Sequence, residues 1–206
     1  RDGQRCSSAK AYLKPVRKRK NLTVITKATA SRIIFEGDKA TSLVYNIEGR
    51  GSFCEAASKE IILCGGSINS PQLLMLSGIG PSAHIQQHGI EVIKDLPGVG
   101  ENLQDHLDIC TLQKCTKEIT YDTTNQVLAG IQSYLFKQGP GTSNVAESGG
   151  FLRSKLAEDE RPDLQFHFVA AQLDDHGRNK IPGSGYTLHV CFLRPKSRGR
   201  LLLTSN

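Results

Sequence analysis

A buried strand, a glycine turn and a helix, predicted in direct succession, constrain the fold of this chain more than any other feature. Residues 59–64 (KEIILC) form a nearly continuous apolar run, which is typical of a strand covered on both faces of a sheet. Gly65 and Gly66 follow at once. Ser70 then precedes a proline, which matches a helix that starts with a hydroxyl N-cap and proline at its first position. The sequence therefore predicts a helix over residues 71–77 that packs against a largely buried sheet.

The same turn is a candidate ligand site. Glycines at the carboxyl end of a strand let the backbone come close to a ligand. In open α/β sheets ligands bind at that end, and the free N–H groups at a helix start favour an anion. The same arrangement also occurs in sheets that hold no ligand, so the spacing alone leaves both interpretations open.

The remaining sequence patterns predict different secondary structure in the first and second halves of the chain. Residues 31–35 and 41–45 predict a hairpin around Gly37, preceded by a strand at residues 21–26. A short helix is predicted at residues 82–88. Beyond Asp105 the pattern predicts strands at residues 106–114, 163–170, 186–193 and from 199, with one amphipathic helix at 124–136. Strands with few helices indicate a domain around a mainly antiparallel sheet. The predicted fold class is α/β plus α+β, with domains at 1–105 and 106–206.

Composition excludes some classes of protein. Hydrophobic residues make up 38% and charged residues 22% of 206, as in ordinary globular proteins. No apolar run approaches the roughly 18–20 residues that span a bilayer. The six cysteines include no C-x-x-C pair, which favours isolated thiols in a reducing cytoplasm.

The formal net charge of +6 includes a basic run from Lys14 to Lys20. A module that binds nucleic acid or acidic lipid through this run is the alternative class of function. Because no aromatic residues that could stack on bases interleave the run, a solvated loop is the preferred interpretation and no nucleic-acid partner is expected. His84 and His88 have a spacing that can bind zinc, but no third ligand is evident, so we predict no metal site.

Specific strings carry a family resemblance. GGSINSPQLLMLSGIGP at residues 65–81 closely resembles the second signature of the glucose–methanol–choline (GMC) oxidoreductases, and PGVGENLQDH at 97–106 resembles the segment that follows it. Further similar strings are RCSSAKAYLKP, NLTVITKATASRI, FKQGPGTSNVAESGGFLRS, RPDLQFHFV and LRPKSRG. They cover most of the chain and are most similar to the branch of choline dehydrogenases and medium-chain alcohol dehydrogenases.

The resemblance implies a cofactor and its contacts. Family members bind FAD in a Rossmann-like domain and pass hydride from an alcohol to flavin N5. Cys64, Gly65 and Gly66 match the strand-end turn beside the nucleotide part of FAD. Ala30 matches a position whose backbone contacts the adenine part; ordinary strand packing is the alternative for this residue. The first half of the chain is therefore expected to be part of a Rossmann-like FAD-binding domain, and the second half part of the substrate domain.

The resemblance also implies a substrate class. Glu147 is similar to the glutamate that faces the substrate in choline-oxidising members, and a carboxylate suits a quaternary ammonium, which forms no classical N–H hydrogen bond. A helix-end or interdomain glutamate is the alternative. Choline and medium-chain primary alcohols are the two candidate substrates, oxidised to aldehydes. The acceptor is either a quinone, as in a dehydrogenase at the membrane surface, or oxygen, as in an oxidase.

Several family elements have no counterpart in the sequence. These are the G-x-G-x-x-G that binds the pyrophosphate and the C-terminal histidine pair that supplies the base. We therefore expect no catalytic base within the chain, and we interpret His106 as structural. The chain expressed alone is expected to be colourless, inactive and unstable.

Overall fold

The computed structural model describes residues 3–175, 178–179 and 181–206. The chain forms two compact units, and each is discontinuous in sequence. Residues 23–104 and 196–206 form the three-stranded unit, and residues up to 22 with 105–195 form the four-stranded unit. The functional domains at 1–105 and 106–206 stay a prediction.

An antiparallel meander forms the sheet of the three-stranded unit. Its strands are β1 (Ala28–Glu36), β2 (Lys39–Ile47) and β3 (Gly51–Ala56), in that spatial order. The predicted hairpin is confirmed, and Gly37 makes its turn with a φ of +59°. The strand predicted at residues 21–26 is wrong: those residues lie outside the strands, and regular pairing starts only at Ala28.

The strand predicted at residues 59–64 is also wrong. These residues form a bend followed by coil, and in the described part of the chain no strand pairs with them. Without hydrogen-bonding neighbours an apolar run cannot form a ladder, and Ile62 is 72% exposed. The mixed α/β class with mainly antiparallel sheets is confirmed.

Helix α2 (Gly66–Leu76) starts earlier than the sequence predicts. Gly65 is its N-cap, and Pro71 lies inside the helix, where it cannot donate a backbone hydrogen bond. Ser70 is therefore not the N-cap residue. Its Oγ instead accepts a hydrogen bond from the backbone N–H of Gly65 at 3.0 Å. This bond ties the glycine turn to the first turns of the helix, which starts five residues before the proline.

The core of the three-stranded unit forms where α2 packs against α3 and the segments that follow it. Short strands β4 (Ile79–Gly80) and β5 (Lys94–Asp95) pair in parallel around helix α3 (Ser82–Gln87), which confirms the second predicted helix. The buried cluster consists of Met75, Ile85, Ile90 and Leu203. The strand predicted from residue 199 is wrong, because that segment makes only an isolated bridge between Leu103 and Gly199. Its Leu203 instead packs into the core.

Replacing Met75 by alanine should loosen this core. Met75 is 0% exposed, so truncation leaves a cavity that costs about 2–5 kcal/mol. We expect faster amide hydrogen exchange across α2 and α3 in the full-length protein that contains this chain. Leu202 is 43% exposed beside the buried Leu203, so Leu202→Ala is the matched control and should change exchange little. Equal effects of the two variants would contradict this view of the core.

A four-stranded antiparallel sheet forms the other unit; its mainly antiparallel character and three of its strands were predicted, but the strand at Ala146–Leu152 was not. Its strands are β6 (Leu107–Lys114), β7 (Ala146–Leu152), β8 (Leu164–Val169) and β9 (Gly185–Phe192), in the spatial order β6-β9-β8-β7. Thr187 on β9 is fully buried, and its hydroxyl donates to the carbonyl of Ala171 at 2.8 Å.

The four-stranded unit also contains two short α-helices and two single 3-10 turns, Tyr121–Thr123 and Pro140–Thr142. Helix α1 (Lys14–Val16) follows a π-helical turn. Helix α4 (Gln126–Ile131) is capped by the Asn125 side chain and continues as a π-helical turn, within the predicted range. Among the described residues, no helix is both long and apolar enough to cross a membrane.

Candidate functional site

A cavity of about 600 Å³ lies between β1 and α2 in the three-stranded unit. The sheet edge, the coil that follows β3 and the outer face of the helix form its walls. Its lining comprises residues 28–31, Leu43, residues 61–65, Asn69, Ser70, Gln72, Leu73 and Leu76. The volume falls within the range of about 300–1,000 Å³ that is common for small-molecule sites.

The lining of this cavity is apolar with a few neutral polar groups. None of these described lining residues is Asp, Glu, Lys, Arg or His. Thr29, Ser31, Asn69, Ser70 and Gln72 offer hydroxyl and amide groups, and the remaining side chains are aliphatic or small. This chemistry suits a neutral, largely apolar ring system that forms hydrogen bonds at its edge.

The glycine turn brings backbone to the cavity wall. A Cβ on Gly65 would lie 3.0 Å from the Asn69 Cβ and 3.1 Å from the Ser70 nitrogen, so a side chain would crowd the helix. Gly66 has a φ of +77°, which is strained for other residues. The structure shows no side-chain hydrogen bond that caps α2 at Gly65. Backbone N–H groups in the first turn of α2 can therefore donate hydrogen bonds to an anionic group such as phosphate.

The structure brings together three of the four residues predicted to hold a cofactor. Ala30, Cys64 and Gly65 line the same cavity, although 34 positions separate Ala30 from Cys64. Gly66 adjoins it as the first residue of α2. Their role as cofactor contacts stays a prediction. The neutral polar residues on the helix, such as Gln72, were not predicted, because a polar residue on an apolar helix does not by itself indicate a ligand.

Glu147 belongs to the four-stranded unit, where it lies exposed on β7. The hydroxyl of Tyr121 donates a hydrogen bond to its carboxylate. This bond, followed by one from Ser143, holds the pKa of Glu147 below its ordinary value, although partial burial opposes the shift. Burial and the neighbouring carboxylate raise the pKa of Tyr121. Glu147 is thus a carboxylate with an aromatic neighbour at neutral pH.

Tyr121 was not predicted as a site residue. It lies 26 positions from Glu147, in a single helical turn before α4, and no sequence pattern links the two.

His106 is exposed, and its backbone N–H donates to the Asp105 side chain at 2.9 Å. Its structural role stays a prediction.

Comparisons with known proteins agree on one family. Residues 1–108 match the family model described as GMC oxidoreductase. The chain is 48% identical to an alcohol dehydrogenase [acceptor] of Pseudomonas putida, over 98% of the chain and 38% of that protein. It is 44% identical to an oxygen-dependent choline dehydrogenase of Brucella ovis, over 99% of the chain and 37% of that protein. The chain thus spans less than two-fifths of the length of these curated relatives.

Solved structures share the fold. A pyridoxine 4-oxidase from Mesorbium loti superposes with a TM-score of 0.79 at 30% identity, covering 100% of the chain and 37% of that protein. A formate oxidase superposes with a TM-score of 0.88 at 24% identity, over 100% of the chain and 41% of that protein, and this likeness concerns the fold alone.

Proposed function

The chain belongs to the GMC oxidoreductase family, and we propose that it is part of an FAD-dependent enzyme that oxidises a primary alcohol to the aldehyde. The observation that carries this proposal is the neutral cavity of about 600 Å³ that joins Ala30, Cys64 and Gly65 at the start of α2. Ala30 lies 34 positions from Cys64, and the family resemblance assigns these residues to one cofactor.

The cavity fits the nucleotide half of FAD. An adenine ring is flat, neutral and mostly apolar, with polar atoms at its edge, and the lining offers aliphatic walls with hydroxyl and amide groups. Gly65 and Gly66 keep the turn free of side chains, and the helix start favours phosphate. When bound, FAD supplies the hydride acceptor. The role of this chain's residues is to bind and orient the nucleotide end.

The substrate is choline or a medium-chain primary alcohol. Glu147 offers a deprotonated carboxylate beside the ring of Tyr121, and both groups attract a quaternary ammonium. This pair favours choline. The alternative is an aliphatic alcohol, as the name of the Pseudomonas putida relative allows. We expect the base to lie outside this chain, in a C-terminal histidine pair.

The electron acceptor is a quinone or oxygen. The names of the relatives support both, since one ends in [acceptor] and another begins with oxygen-dependent. A quinone would place the whole enzyme at the surface of a membrane facing the cytoplasm. A nucleic-acid-binding role through residues 14–20 remains the alternative class, and a salt-dependent shift of DNA by the purified protein would favour it.

Spectroscopy of the full-length protein tests the proposal. We expect a flavin absorption spectrum after purification. Under anaerobic conditions choline or a medium-chain alcohol should bleach it. Subsequent oxygen or a quinone analogue should restore the oxidised spectrum and identify the acceptor. A colourless protein that takes up no added FAD, or a flavin that no alcohol bleaches, would contradict the proposal.

A further inference from the structure

A cluster of metal-ligating side chains lies in the four-stranded unit, outside the cavity between β1 and α2. Asp108 and Cys110 stand on β6, and His189 and Cys191 stand on the neighbouring β9. The register pairs Asp108 with Cys191 and Cys110 with His189. Directly paired residues, and residues two apart on one strand, point to the same face of a sheet. The four side chains therefore form a compact square on one face.

The ligand atoms converge on one point. The Asp108 Oδ2 lies 2.8 Å from the His189 Nδ1, and the Cys110 Sγ lies 3.0 Å from the same nitrogen. The remaining distance, from the Cys110 Sγ to the Asp108 Oδ2, is 3.6 Å. In a chain of proton transfer, sulfur and carboxylate would contact opposite nitrogens of the imidazole. Here both contact one nitrogen, so the arrangement does not fit a nucleophile–base–acid relay.

We propose that Asp108, Cys110 and His189 form a binding site for a thiophilic divalent metal ion, with zinc as the best match. Zinc binds one sulfur, one nitrogen and one oxygen readily, at about 2.0–2.3 Å. Such bonds in a tetrahedron place ligand atoms roughly 3.3–3.8 Å apart. The observed separations of 2.8, 3.0 and 3.6 Å need only a small opening to admit the ion.

The surroundings suit an ion that enters from solvent. The Asp108 side chain is 34% exposed, that of His189 is 17% exposed and Cys110 is exposed, so solvent reaches the site. Cys191 donates to the other oxygen of Asp108 at 3.4 Å, which orients this carboxylate from behind. Supporting hydrogen bonds of this kind fix ligand orientation at metal sites. Three protein ligands leave one coordination position for water or a fourth donor.

The sequence did not predict this site. Asp108 and Cys110 lie 81 and 79 positions from His189, and neither strand carries a metal motif on its own. The family resemblance also assigns no metal to these positions. The inference therefore rests on the strand register and the distances alone, and it is independent of the proposed alcohol oxidation.

Cobalt substitution in the full-length protein tests the site. After treatment with a chelator, addition of Co²⁺ should give one equivalent of bound ion with thiolate-to-cobalt charge-transfer absorption. Cys110→Ser should abolish this absorption, and His189→Gln should weaken Co²⁺ binding by at least about tenfold. Cys54 is an exposed cysteine of the other unit, so Cys54→Ser is the matched control and should retain the full spectrum. A spectrum that is absent, or that survives Cys110→Ser, would overturn the proposal.

Thiol labelling of the unmodified protein gives a second readout that does not require a variant to fold. Zinc should slow alkylation of Cys110, read by peptide mass spectrometry, by about tenfold or more, because a coordinated thiolate is less available to the reagent. Alkylation of Cys54 should not change. Equal labelling of Cys110 with and without zinc would contradict metal binding there.

Discussion

Gly66→Val in the full-length protein is expected to release most of its FAD. The φ of +77° at this position is strongly unfavourable for a β-branched residue. A strained backbone of this kind costs of order 1–3 kcal/mol, which corresponds to a loss of roughly 5- to 150-fold in affinity if the strain falls on the bound turn. A Cβ at Gly66 meets no atom within 4 Å, so the effect would come from the backbone conformation of the turn.

Gly49 provides the matched control for this variant. It has a φ of +72° and also leaves an added Cβ free of contacts, but it lies in the turn between β2 and β3. Gly49→Val should therefore cost similar stability without a loss of FAD. The ratio of flavin to protein absorbance after gel filtration, and titration of the apoprotein with FAD, would measure both variants. Loss of FAD to the same extent in the two variants would show that Gly66 acts through stability alone.

Glu147→Gln should separate the two candidate substrates. Removing the negative charge takes away an attraction to a quaternary ammonium worth about 1–2 kcal/mol, so kcat/KM for choline should fall by roughly 5- to 30-fold. A neutral medium-chain alcohol makes no such contact, and its kcat/KM should change by less than about threefold. Steady-state assays with choline and 1-octanol measure the ratio.

Two further variants sharpen this test. Glu118 is an exposed glutamate of the same unit, and Glu118→Gln should leave both substrates unaffected. Tyr121→Phe removes the largest cause of the lowered pKa of Glu147. Because a lowered pKa keeps the carboxylate charged, Tyr121→Phe should move the acid limb of the pH profile for choline to higher pH. Equal losses for both substrates in Glu147→Gln would show that Glu147 only supports the fold.

Local patterns allowed the hairpin, the short helices and three strands of the four-stranded sheet to be predicted, because turn residues and alternation lie within one segment. The strand at Ala146–Leu152 was missed. Residues 59–64 show where this reasoning fails. Their apolar run has the composition of a central strand, but a strand also needs hydrogen-bonding neighbours, and the described residues provide none. The start of α2 was also predicted too late: Pro71 lies inside the helix, and the Ser70 hydroxyl bonds to the backbone of Gly65.

The candidate sites also include residues that the sequence marks and residues that only the structure reveals. Ala30 and the glycine turn could be found because motif strings mark them, and the structure then joined them in one cavity. Tyr121 beside Glu147, and Asp108 with Cys110 and His189, depend on tertiary pairing over 26 to 81 positions. No local pattern carries that information, so only the sheet register and the loop positions reveal these groups.

The central claim is that the turn at Gly65 and Gly66, together with Ala30, lies against the nucleotide half of a flavin. A structure of the full-length protein with its cofactor measures this directly. We expect the adenine of FAD in the cavity between β1 and α2, within contact distance of the backbone of Ala30 and Gly65. FAD bound elsewhere, with side chains filling that cavity, would contradict it.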